Sequence, residues 1–94
     1  MKDKSQLDIL EDYLKANGYS YHRLDIDANE DGLMERHRIT VTDANGSYLW
    51  DVICQPYSYG YEHGLLELAG SIAEPNDDVE GWLEAQDIID RIHN

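Results

Sequence analysis

Apolar residues recur along the chain with two different periods, and the changes of period divide it into elements. Residues 5–17 carry Leu7, Leu10 and Leu14 at helical spacing, with Tyr13 beside them and Glu11, Asp12 and Lys15 turned outward. That stripe predicts an amphipathic helix. Over residues 19–26 the period falls to two, so that His22, Leu24 and Ile26 share one face of a strand and Tyr21, Arg23 and Asp25 the other. Residues 36–43 and 47–54 form two more strands about Asn45-Gly46, a dipeptide favoured in two-residue type I′ hairpin turns. With Ala44 facing Ser47, Val41 faces Trp50, Ile39 faces Val52 and His37 faces Cys54. This register gathers the large apolar residues on one side and leaves Thr40 opposite Asp51 on the other.

Pro56 ends that strand, and residues 57–61 are a loop rich in tyrosine. Leu65, Leu68, Ala69 and Ile72 fit a helical face, while Leu66 and Leu68 also fit a short strand; helix is the better match for residues 62–72. Residues 79–83 read as a short extended segment, and residues 84–93 as a helix burying Ala85, Ile88, Ile89 and Ile92. The expected fold is α+β: an antiparallel meander of three or more strands with N-terminal and C-terminal helices packed on one face. Ninety-four residues make a single domain, 1–94.

Charge changes the picture most. Twenty acids against seven bases leave a net charge of −13, which excludes an ordinary nucleic-acid binder and disfavours anionic membrane. No apolar run approaches the ~20 residues of a membrane span. The single cysteine, Cys54, suits a reducing, cytoplasmic setting. From Glu74 to Asp90 there are seven acids and no base. Glu84, Asp87 and Asp90 recur every three residues on the last helix, about 4.5 Å apart along its axis, near the ~3.4 Å phosphate spacing of a DNA strand. With Asp77, Asp78 and Glu80 they form a candidate face for a basic partner, a surface that ordinarily meets nucleic acid. A second candidate surface is aromatic: Tyr57, Tyr59, Tyr61 and Trp82 are residue types that anchor protein interfaces.

Other chemistry is sparse. Asp27, Asn29 and Asp31 match the first three ligand positions of a calcium-binding loop, with Glu35 at the ninth. The twelfth, which needs a bidentate Glu, is Arg38, so no metal is expected. His37 opposite Cys54 has the residue types of a thiol–imidazole pair, but on an apolar face and without an orienting third residue. No phosphate-cradling loop or nucleotide fingerprint is present, and no cofactor or enzymatic activity is expected.

Two stretches, Tyr59-Gly-Tyr-Glu-His-Gly-Leu-Leu-Glu-Leu-Ala-Gly70 and Val79-Glu-Gly-Trp-Leu-Glu-Ala-Gln-Asp-Ile-Ile89, resemble small acidic proteins of prophages and mobile elements of Gram-positive bacteria. The resemblance implies a setting in which small acidic proteins inhibit host nucleic-acid-binding enzymes; it transfers no site residue. The leading expectation is therefore a non-enzymatic acidic binding protein that mimics nucleic acid toward such an enzyme. The alternative is a protein–protein adaptor or regulatory module that uses its aromatic loop.

Overall fold

A computed structural model describes residues 5–26, 35–73 and 79–93. Helix α1 (Ser5–Ala16) leads into strands β1 (Ser20–Ile26), β2 (Arg36–Thr42) and β3 (Tyr48–Ile53). A 3₁₀ turn (Tyr61–His63) precedes β4 (Leu66–Gly70) and β5 (Val79–Leu83), and α2 (Ala85–Ile92) follows. The strands form one sheet in the order β1-β2-β3-β4-β5, every neighbour antiparallel. Both helices cover the same face, as the sequence periods imply.

The core lies between these layers. Leu7, Leu10 and Leu14 of α1 are fully buried against Ile39, Val41, Trp50, Val52, Cys54, Leu66 and Leu68 of the sheet and Ala85 and Ile88 of α2. Removing one such leucine from water contributes roughly 1.5–3 kcal/mol. Polar contacts tie the helices together at both ends: Gln6 Oε1 accepts the Ala85 N–H at 2.7 Å, and the Tyr13 hydroxyl meets His93 Nε2 at 2.5 Å. Ile89 and Ile92 are only partly buried.

The β2–β3 register agrees with the sequence expectation, but the turn that sets it does not. Val41 pairs with Trp50, Ile39 with Val52 and Thr40 with Asp51, and the Cys54 N–H bonds the His37 carbonyl at 2.9 Å. Gly46 has φ +85° while Asn45 does not have a positive φ, so the loop is not type I′, which needs both. Instead Gly46 N–H bonds the Asp43 carbonyl, and the Asp43 carboxylate accepts N–H groups from Asn45 and Ser47, each at 2.9 Å. The carboxylate stabilises a loop one residue longer. A bulge between Val41 and Thr42 then restores the pairing that buries the apolar set.

The second difference is at residues 62–72, which are not a helix. Leu66 and Leu68 alternate into the core as β4, and Leu68 pairs with Val52. Gly70 lies so close to Trp50 that a β-carbon there would stand 2.6 Å from the Trp50 Cα. Burial of the alternating leucines and this close approach outweigh the helical spacing of Leu65, Leu68, Ala69 and Ile72.

Candidate functional site

The loop after β3 and the middle of β5 build one aromatic surface. Ser58 closes a tight turn onto Gln55: its hydroxyl donates to the Gln55 carbonyl at 2.7 Å and accepts the Gln55 N–H at 3.1 Å. Tyr57, at the apex, has φ +75° and is 88% exposed. Trp82 has φ +63° and is 57% exposed, as is Tyr59. The loop is anchored where the Tyr59 N–H donates to Glu67 Oε1 at 2.8 Å. Gly60 backs directly onto the Trp82 main chain, and Gly81 leaves the space that the Tyr59 side chain fills. His63 packs on Trp82 with ring centroids 5.5 Å apart. Between the two segments lies a hollow of about 300 Å³ lined by Pro56, Tyr57, Ser58, Tyr59, Gly60, Tyr61, Glu62 and Trp82.

Tyr61 differs from the other three aromatic residues. It is half-buried, and its hydroxyl donates to Glu35 Oε1 at 2.6 Å. That hydrogen bond, burial and the neighbouring charge push the Tyr61 phenol up to about 12. It forms a fixed wall of the hollow rather than an exposed contact.

Behind Tyr61 runs a polar network that no sequence pattern announces. Glu35 Oε2 lies 2.7 Å from His37 Nε2, and His37 Nδ1 lies 2.7 Å from Asp25 Oδ1. His37 is 1% exposed. Each ring nitrogen faces a carboxylate oxygen. Asp25 also pairs with Arg23, whose Nη1 reaches Asp8 and Glu11 on α1 at 2.8 and 2.9 Å. Tyr21 donates to Glu11 at 2.7 Å. This hydrogen bond, supported by Arg23 against an opposing burial effect, holds the Glu11 carboxyl below its ordinary range. The predicted proximity of His37 and Cys54 is present, but carboxylates occupy both imidazole nitrogens. Arg23, Asp25 and His37 share the helix-facing side of the sheet; the register that brings Asp25 opposite His37 is the feature the sequence leaves open.

The acidic candidates separate. Glu84, the N-cap of α2, and Asp87 and Asp90 on the helix are exposed. Asp87 accepts the Glu84 N–H at 2.9 Å and so caps the helix, and Asp90 accepts from Gln86 at 3.0 Å. Glu80 instead turns to Arg91, with which it forms a salt bridge. Arg91 also lines a shallow hollow with Leu83, Asp87 and Asp90, placing a cation inside the acidic row. Asp77 and Asp78 lie outside the described residues, as do Asp27, Asn29 and Asp31 of the candidate calcium loop. Glu35, the fourth member of that loop set, bonds His37 and Tyr61. Among the described residues no group of three or more His, Cys, Asp or Glu is placed to hold a metal ion. No described helix is long and apolar enough to cross a membrane.

Comparison with known proteins returns no match: no family model fits the chain, and no curated protein or solved structure is significantly similar to it.

Proposed function

We propose that this chain is a non-enzymatic protein-binding module that docks a partner on Tyr57, Tyr59 and Trp82. One observation carries the reading: two large aromatic residues, Tyr57 and Trp82, sit exposed on left-handed backbone. Such a conformation costs of order 1–3 kcal/mol for a residue with a β-carbon, and Tyr57 recovers almost none of that by burial. Strain held on exposed interface-type side chains is the signature of a surface shaped for contact. The docking partner is a protein with a basic surface, which complements a chain of net charge −13. Cys54, buried and not in a disulfide, fits a reducing cytoplasmic setting.

The second reading places the contact on α2, where exposed Glu84, Asp87 and Asp90 stand in for phosphates before a host nucleic-acid-binding enzyme, as in a phage-type inhibitor. Its support is the shared exposed side of those three carboxylates; Arg91 and the Glu80 salt bridge weigh against it. Affinity capture with three baits separates the two readings. The aromatic reading expects a partner held by the wild type and by Glu84→Gln/Asp87→Asn/Asp90→Asn, and lost from Tyr57→Ala/Tyr59→Ala. The reverse pattern overturns it in favour of the acidic face.

A further inference from the structure

The hollow between Tyr57 and Trp82 carries more information than its exposure. Three of its polar groups are engaged within the fold. The Ser58 hydroxyl bonds Gln55, the Tyr59 N–H bonds Glu67 and the Tyr61 hydroxyl bonds Glu35. A neutral polar ligand such as a sugar needs convergent donors and acceptors to replace its hydration, and these three are committed to the fold. Beside the Tyr57 and Tyr59 hydroxyls and the Trp82 indole N–H, the walls offer aromatic ring faces and one carboxylate: among the described residues that line the hollow, Glu62 alone is charged. Ring faces attract cations through their quadrupole. The Tyr61 ring is further enriched in electron density, because its hydroxyl donates to a carboxylate.

We propose that this hollow receives an arginine side chain of the partner. The inference rests on the docking reading above and names what that surface grips. Several chemical facts favour arginine over other cations. A guanidinium is planar, more weakly hydrated than an ammonium, and stacks on aromatic faces. It also forms paired hydrogen bonds with a carboxylate, a geometry that Glu62 at the wall can accept. The volume of about 300 Å³ lies at the small end of ligand-sized hollows, appropriate to one side chain rather than a folded segment. The chain's charge of −13 raises the local concentration of any basic segment before contact.

Trp82 supplies the readout, since the other tryptophan, Trp50, is 3% exposed in the core. The probes are a short acetylated, amidated peptide containing two arginines separated by glycine, and the same peptide with citrulline, the neutral isostere, at both positions. Both are titrated into the full chain in physiological salt. A saturable change in emission with the arginine peptide is expected, absent in Trp82→Leu and about tenfold weaker for the citrulline peptide. Tyr57→Ala should weaken the arginine peptide by a similar factor, and Glu62→Gln by several-fold. Asp87→Asn/Asp90→Asn should alter it less than twofold. Equal responses to both peptides, or an arginine response that ignores Tyr57 and Glu62 but falls with Asp87 and Asp90, overturns the proposal. Should partner capture depend on Tyr57 while the arginine peptide leaves Trp82 unchanged, the docking surface stands and the arginine occupant falls.

Discussion

Gly81 and Tyr59 exclude one another's growth: a β-carbon at position 81 would stand 2.2 Å from that of Tyr59. No non-bonded pair of carbons approaches that closely, so one segment must move. Because Tyr59 belongs to the loop and Gly81 to β5, this contact sets the distance between the two halves of the aromatic surface. Gly81→Ala should therefore cost about 1–3 kcal/mol and alter the Trp82 emission even where the chain stays folded. Chemical denaturation followed by fluorescence measures both. An unchanged spectrum and midpoint would mean that the two segments are not held in this relation.

Tyr57 provides a cleaner separation of stability from function. It is 88% exposed, so its ring adds little to folding, while its φ of +75° is unfavourable for any residue with a β-carbon. Glycine adopts that conformation freely. Tyr57→Gly should leave stability unchanged or raise it by up to about 1 kcal/mol, while abolishing partner binding. The comparison of melting midpoint with binding checks this, and a loss above about 1 kcal/mol would assign Tyr57 a structural role instead.

His37 joins the two ends of the segment between β1 and β2, with Asp25 on one side and Glu35 on the other. His37→Leu removes the ring that each carboxylate meets and should cost about 1–3 kcal/mol. Urea melts of wild type and variant measure it. An unchanged midpoint would contradict the bridging role.

Glu11 is expected to respond through its own carboxyl. Its folded value is held below the ordinary 4.5, first by the Tyr21 hydrogen bond and then by Arg23. A depressed folded value means that folding favours the ionised form, so its contribution is complete above the unfolded value and disappears as pH falls through the folded one. Glu11→Gln should cost on the order of 1 kcal/mol at pH 7 and progressively less below about pH 4. A pH series of thermal melts for the pair reads this directly; a constant difference would remove the charge from the explanation.

How much of this is legible in the sequence depends on whether a local signal carries it. The stripe Leu7, Leu10, Leu14 dictates α1 because one helical face must bury all three. The β2–β3 register is readable from the apolar pattern, although the turn is not: Asp43 captures two backbone N–H groups and lengthens the loop, and the bulge near Thr42 cancels the shift. Residues 66–70 are ambiguous because the apolar positions satisfy both periods, and only the neighbours Val52 and Trp50 decide between them. For the candidate site, residue type is informative and conformation is not. Tyr57, Tyr59 and Trp82 stand out as interface residues, but no sequence pattern announces left-handed backbone at a tryptophan. The Asp25–His37–Glu35 bridge stays hidden because Asp31-Gly32 lies in a polar segment between β1 and β2 that is too long for a dipeptide to set their register.

Cross-linking in the producing cell tests the docking surface most directly, since it works whatever the partner proves to be. Tyr57 and Asp90 are exchanged, one at a time, for a photoreactive benzoylphenylalanine, and the cells are irradiated. The aromatic-surface account predicts a discrete adduct from position 57, which faces the hollow, and none from position 90 on the exposed side of α2. An adduct from position 90 alone, or none from either position, would contradict it.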